Sequence, residues 1–181
     1  VTGVLGPVQF QVLTRAQWES FPWRGFSLSA LAVQVDGFAA LEEKYGHAFG
    51  AGLLQDVAWL LHFTTREGDL VGREGPAFLC LLPRCDADEA ITVVRRLQDS
   101  LGRQTFRAGD QVVHVSVGAG IATLDSPRGA DLETLFHTAR RALAGALAEG
   151  PHRFHLAPVP VEIEAFPTQP LPSPGDGAER A

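Results

Sequence analysis

The chain has 181 residues, 45% hydrophobic, 20% charged and 8% aromatic, a composition that predicts one globular domain with a small remainder. A net charge of -6, with no block of like charge, excludes the basic footprint of a nucleic-acid or membrane surface. Cys80 and Cys85 have no second cysteine pair and no neighbouring histidine, so they read as inert buried thiols of a reducing compartment rather than as metal ligands.

The chain opens on Val1 rather than an initiator Met, carries no signal-peptide pattern and has no apolar run near ~20 residues, which predicts a soluble fragment of a longer protein. Leu28-Ser-Ala-Leu-Ala-Val-Gln-Val, after the breakers Pro22 and Gly25, predicts the first strand. From Asp36 the apolar spacing becomes helical, through Phe38, Leu41 and Tyr45 and then Phe49, Leu53, Val57, Leu60 and Leu61. That pattern predicts two helices broken around Gly46 and Gly50. Asp69-Leu-Val-Gly-Arg and Phe78-Leu-Cys-Leu-Leu flank Glu74-Gly75-Pro76-Ala77, the chemistry of a hairpin turn between two strands.

Asp86 and Glu89 have the spacing of a capping box, opening a helix with apolar face Ala90, Ile91, Val94, Leu97 and Leu101 and closing at Gly102; Arg95 and Arg96 fall off that face. Val112 to Ile121 alternates, with Val113, Val115, Val117, Ala119 and Ile121 on one side and His114 on the other. A helix from Asp131 to Glu149 stops at Gly150-Pro151, and a short strand near Arg153-Phe154-His155-Leu156 completes the sheet. The order is βααββαββαβ, an α+β fold with helices packed on a mixed sheet. Trp18, Trp23 and Trp59 read as packing residues, and His152 and His155 have no carboxylate cluster beside them. From Ala157 to Ala181 the chain holds six of its 12 prolines and reads as an extended tail or linker. Within it, Phe166-Pro-Thr-Gln-Pro-Leu-Pro-Ser-Pro has the Pro-x-x-Pro spacing of a polyproline II ligand.

Several stretches, in order, resemble the GGDEF family of diguanylate cyclases, which condense two GTP into cyclic di-GMP. They are Thr2-Gly3-Val4, Val35-Asp36-Gly37-Phe38 with Tyr45-Gly46-His47-Ala48-Phe49-Gly50, Arg66 to Arg73 before the hairpin and Phe78 to Pro83, Val115-Ser-Val-Gly118 with Ile121-Ala122, and Gly150-Pro-His-Arg153. The resemblance spans about residues 1 to 156 and implies a cyclase fold in the bacterial cytoplasm. It also implies magnesium, held by a carboxylate near the end of the first strand and another from the hairpin, because phosphoryl transfer needs divalent charge on the triphosphate.

The positions that carry that chemistry are altered. Gln34 stands at the first-strand acid, and the signature hairpin reads Glu74-Gly75-Pro76-Ala77-Phe78, one residue short, with Pro76 and Ala77 in place of its acids. Pro76 also lacks the N-H a phosphate would accept from. The guanine-reading Asn and Asp of the family correspond to Glu42 and Ala51, and its phosphate-neutralising lysines to Ala39 and Leu147. Asp36 remains, and a single carboxylate there reads more simply as a helix N-cap than as a metal site. No catalytic residue, metal site or cofactor is therefore expected, and the chain reads as a non-enzyme.

What remains is Arg66-Glu67-Gly68-Asp69, which matches the family's inhibitory Arg-x-x-Asp site for cyclic di-GMP just before the hairpin. A guanidinium forks onto a guanine edge or phosphate, and a carboxylate accepts from guanine N-H groups. Arg96, eighteen residues beyond Phe78, is the further arginine the resemblance implies, and Arg95 is its neighbour. Arg-x-x-Asp also begins at Arg96, Arg107 and Arg128, so only the position before the hairpin distinguishes Arg66. The structural alternative is that Arg66 closes a helix while Asp69 caps a turn. Two functions follow: a receptor that binds cyclic di-GMP through Arg66, Asp69 and Arg96 and passes the signal to a partner or attached domain, or a nucleotide-independent interaction or dimerisation module.

Overall fold

A computed structural model describes residues 4–127 and 129–161; Thr2, Gly3 and Arg128 lie outside the described residues, as does the tail from 162. The elements are α1 (Pro7–Ser20), β1 (Leu28–Val35), α2 (Phe38–Tyr45), α3 (His47–Thr64), β2 (Leu70–Glu74), β3 (Ala77–Pro83), α4 (Ala87–Gly102), β4 (Phe106–Ala108), β5 (Gln111–Val113), β6 (Val117–Leu124), α5 (Leu132–Glu149) and β7 (Phe154–Pro158). Five strands form one sheet in the order β2-β3-β1-β6-β7, with β4 and β5 a separate two-stranded ribbon. The pairs β2/β3, β3/β1 and β1/β6 are antiparallel and β6/β7 is parallel, which makes the sheet mixed.

Both faces of this sheet are covered. Leu31, Val33 and Val35 of β1 enter one core with α3 and α4, whereas Leu28, Ala30 and Ala32 enter a second core with α1 and α5. A strand buried on both faces has no polar side, which is why β1 reads as an apolar run with little alternation. The closest approach is at Gly120 of β6. A Cβ built there would lie 2.0 Å from the Ala139 carbonyl oxygen and 2.2 Å from the Leu143 nitrogen, so the backbone of α5 rests directly on the strand.

Local chemistry sets the element ends. Asp86 and Glu89 form the capping box of α4 in both directions, and the Asp131 side chain accepts from Thr134 N-H at 2.6 Å to cap α5. Gly75, at φ 59, is the first residue of the two-residue loop joining β2 to β3. Positive φ followed by proline's fixed φ is the pattern of a type II′ hairpin turn.

Several expectations change. The helix α1 was not anticipated. The break between α2 and α3 falls at Gly46 alone, and Gly50 lies inside α3. Gly102 ends α4 within the helix, and Arg103 is its cap. The alternating stretch Val112 to Ile121 divides at His114–Ser116 into β5 and β6, because β5 turns away to pair with β4, so three strands rather than the expected two lie between α4 and α5. Strand β7 runs to Pro158, two residues into the stretch read as tail. Trp18 and Trp23 do pack, edge to face at 5.1 Å, but Trp59 is 52% exposed beside Phe63. Cys80 and Cys85 are buried, with both thiols pushed up to about 12 chiefly by desolvation, a state in which neither is a nucleophile or a ready metal ligand.

Candidate functional site

The β1–α2 corner and the hairpin adjoin as the topology requires. Gln34, near the end of β1, pairs across the sheet with Ala77 of β3 on one side and Gly118 of β6 on the other. The strand and hairpin positions that would converge on a divalent cation are thus direct cross-strand neighbours, holding a neutral amide and a methyl group. The nearest remaining hairpin acid, Glu74, is turned to α5, where its two oxygens meet Arg140 Nε at 2.9 Å and Nη2 at 3.2 Å.

Asp36 caps nothing; the N-cap of α2 is Gly37. Its Oδ2 instead accepts from Ser116 Oγ at 2.5 Å and from His152 N-H at 2.8 Å, tying the end of β1 to the β5–β6 connection and the α5–β7 turn. Oδ1 is buried and has no hydrogen-bond partner among the described residues. It lies beside Gly118, where a Cβ would be 3.2 Å from it and 2.8 Å from Leu147 Cδ2. A cleft of about 480 Å³ opens here between Asp36, Lys44, Tyr45, His114, Leu147 and Pro151. These residues do not fit a magnesium ion: one carboxylate oxygen is taken by two donors, and Asp36 is the one acid lining the cleft among the described residues. Among the described residues no group of three His, Cys, Asp or Glu side chains is placed to hold a metal.

Glu42, at the guanine-reading position, gives its Oε1 to His47 Nδ1 at 2.7 Å and packs across Gly50, and Ala51 is exposed without a polar group.

Arg66 and Asp69 are brought together by their own backbone. Asp69 N-H donates to the Arg66 carbonyl at 3.1 Å, and Asp69 Oδ2 accepts from Arg66 N-H at 2.7 Å. Gly68, at φ 96, occupies the third position of this four-residue turn, where type II geometry requires positive φ. Partial burial pushes the Asp69 carboxyl up from its ordinary value, and the hydrogen bond from Arg66 opposes this. So Asp69 does cap a turn, but Arg66 does not close the preceding helix, since α3 ends at Thr64. The Arg66 guanidinium instead projects to α4, where Nη2 lies 3.1 Å from Glu89 Oε1. That hydrogen bond raises its pKa above the usual arginine value.

Arg96 follows Glu89 by seven positions on α4, nearly two turns, and so shares its face. It is exposed and has no ion-pair partner among the described residues. Arg95 is carried about a third of a turn round the helix to the other side, its guanidinium carbon 5.9 Å from the Phe154 ring centroid. The structure therefore joins Arg66 and Asp69 in one turn, while Arg96 lies about 10 Å further along α4 on the Glu89 side and Arg95 lies off that side. Glu89, which sequence reasoning used only as a capping residue, is the missed member. His155 also acquires a partner, Glu149, with Nε2 and Oε2 at 2.9 Å. A larger cleft, of about 610 Å³ between α1, β2 and α5, is lined by none of Arg66, Asp69, Glu89, Arg95 and Arg96. No described helix is long and apolar enough to cross a membrane.

The family model "Diguanylate cyclase, GGDEF domain" matches residues 1–153. Diguanylate cyclase A of Treponema denticola is 27% identical over 117 residues, 64% of this chain and 30% of its own. Diguanylate cyclase DgcM of Escherichia coli K12 is 28% identical over 154 residues, 84% of this chain and 36% of its own. The chain thus spans about a third of the length of these two relatives. Among solved structures, the GGDEF domain of PA1120 from Pseudomonas aeruginosa superposes with TM-score 0.72 at 28% identity, covering 87% of this chain and 98% of that one. SiaD from the same organism, crystallised with its activator SiaC, gives 0.76 at 27% identity, covering 86% and 60%.

Proposed function

The chain belongs to the GGDEF family of diguanylate cyclases, and from that premise we propose that it is a member without cyclase activity that binds cyclic di-GMP at Arg66, Asp69 and Arg96. The observation that carries the binding half is the closed turn Arg66–Asp69. It sets the Arg66 backbone against the Asp69 carboxylate, the Arg66 guanidinium reaching Glu89 at the start of α4, the helix that carries the exposed Arg96. A cyclic dinucleotide offers two phosphates and two guanine edges, which are the partners this trio would take. The loss of cyclase chemistry is supported by the neutral pair Gln34 and Ala77, the two-residue hairpin loop, and Leu147 beside the unpartnered Asp36 oxygen. Metal charge, base recognition and phosphate neutralisation are weakened together, and phosphoryl transfer depends on all of them.

Isothermal titration of the chain with cyclic di-GMP, with GTP plus Mg²⁺ in parallel, tests this reading. Binding at micromolar concentration or tighter, lost in Arg66→Ala with the melting temperature unchanged, is the expected result. No heat up to millimolar cyclic di-GMP overturns it.

A second reading, a docking or dimerisation module, is favoured by one feature. Trp59 and Phe63, 52% and 64% exposed, stand together on α3 with ring centroids 4.3 Å apart. Aromatic pairs of this kind are enriched at protein interfaces, and SiaD, 27% identical, was crystallised with a protein activator. Under this reading Trp59→Ala abolishes partner binding or self-association, and Arg66→Ala leaves it unchanged.

A further inference from the structure

Glu89 makes two contacts at once. Its Oε2 accepts from Asp86 N-H at 3.1 Å, closing the capping box of α4, and its Oε1 accepts from Arg66 Nη2 at 3.1 Å. The residue that ends one helix's list of unsatisfied donors is therefore also the anion seated on the guanidinium of the candidate site. Asp69 accepts from the Arg66 backbone N-H through Oδ2, while the guanidinium's ion pair is with Glu89. Arg96, further along α4, has no such partner among the described residues.

We propose that Glu89 is an internal competitor for Arg66, so that an anionic ligand of this surface binds by exchange, taking the guanidinium from Glu89 while the capping box stays closed. This rests on the reading of Arg66 as a cyclic di-GMP contact. The pair is partly exposed, with side-chain exposures of 61% and 42%, so it screens readily and can be broken by a ligand phosphate or guanine edge without unfolding anything. The consequence is a site whose affinity is set by a residue that never needs to touch the ligand. The first turn of α4 reports occupancy, because Glu89 is held by two groups when the site is empty and by one when it is filled.

The capping geometry supplies a clean variant. Glutamine serves at the third helical position of a capping box as glutamate does, so Glu89→Gln removes the charge from Arg66 and leaves the cap. Asp88→Asn removes the same charge one residue away, from an exposed side chain outside the pair. Titrating cyclic di-GMP into the wild type, Glu89→Gln, Asp88→Asn and Arg66→Ala, all with melting temperatures checked, separates the possibilities. The expected result is about threefold tighter binding in Glu89→Gln, an unchanged constant in Asp88→Asn and loss of binding in Arg66→Ala. If Arg66→Ala loses binding but Glu89→Gln binds no more tightly than wild type, the competitor role is wrong and the site stands. Equal tightening in Asp88→Asn makes the effect one of general charge and also overturns the competitor role. Wild-type binding that survives Arg66→Ala, or no binding in either the wild type or Glu89→Gln, removes the site itself and the competitor with it.

Discussion

Asp36 and His152, 116 positions apart, are joined by a single hydrogen bond, the His152 N-H donating to Asp36 Oδ2 at 2.8 Å. His152 is one of two non-glycine residues at positive φ among the described residues, at 61°, a conformation that persists only when its surroundings hold it. Asp36 supplies that hold, and it also takes the Ser116 hydroxyl. The carboxylate remaining at the β1–α2 corner thus ties that corner to two other connections. Asp36→Ala is expected to lower stability by about 2 kcal/mol, seen as a fall of roughly 6 °C in melting temperature for a chain of this size. An unchanged melting curve would show that the clasp carries no weight.

Gly120 gives a sharper test of the packing. Its missing side chain is occupied by the backbone of α5 at Ala139 and Leu143, and backbone cannot step aside as a flexible side chain does. Gly120→Ala forces α5 off the sheet and is expected to cost ~3 kcal/mol, the upper range of overpacking. Urea denaturation measures this directly, and a loss below about 1 kcal/mol would mean that α5 has room to shift.

Where the sequence pattern had one period and one buried face, it was readable. Helix α4 has a capping box and buries Ala90, Val94, Leu97 and Leu101 as its spacing predicts. Helix α1 buries only Phe10 and Thr14 and leaves Val8 and Val12 exposed, so its apolar residues do not trace a face. The signal available was Pro7 at its first turn. The division of β5 from β6 was hidden because Val113, Val115 and Val117 are all buried at even spacing, which alternation cannot distinguish from one strand. The overlooked signal was Gly109-Asp110 between β4 and β5, a two-residue hairpin loop. At the candidate site the turn of Arg66 and Asp69 followed from their spacing. The Arg66–Glu89 pair did not, because it joins positions 23 apart on separate elements.

Restoring acids at the cyclase positions is expected to fail. Gln34→Asp with Ala77→Glu places two carboxylates on neighbouring strands, but the hairpin remains a two-residue loop closed at Glu74 and Ala77. Leu147 and Ala39 still offer a triphosphate no cation. Incubation of this double variant with GTP and Mg²⁺, followed by chromatography, should show no cyclic di-GMP above the wild-type background. Product formation would mean that metal charge was the sole deficit.

Two aspartates should move stability in opposite directions with pH. Asp131 is held below the ordinary carboxylate range, first by the backbone hydrogen bond from Thr134. Its folded pKa lies below the unfolded 3.8. It therefore contributes stability that is present above the unfolded value and lost as pH falls through the folded one. Asp69 is raised above 3.8, chiefly by desolvation, so the folded state binds its proton more tightly and the group's contribution declines as pH climbs from about 3.8 through its higher folded value. Asp131→Asn, which keeps a capping oxygen, should be less destabilising relative to wild type at pH 3 than at pH 7. Asp69→Asn retains an acceptor for Arg66 N-H without a charge to desolvate. It should compare more favourably with wild type at pH 7 than at pH 3. Thermal melts of the three proteins at both pH values decide it, and parallel trends for the two variants would contradict the environments assigned to these carboxylates.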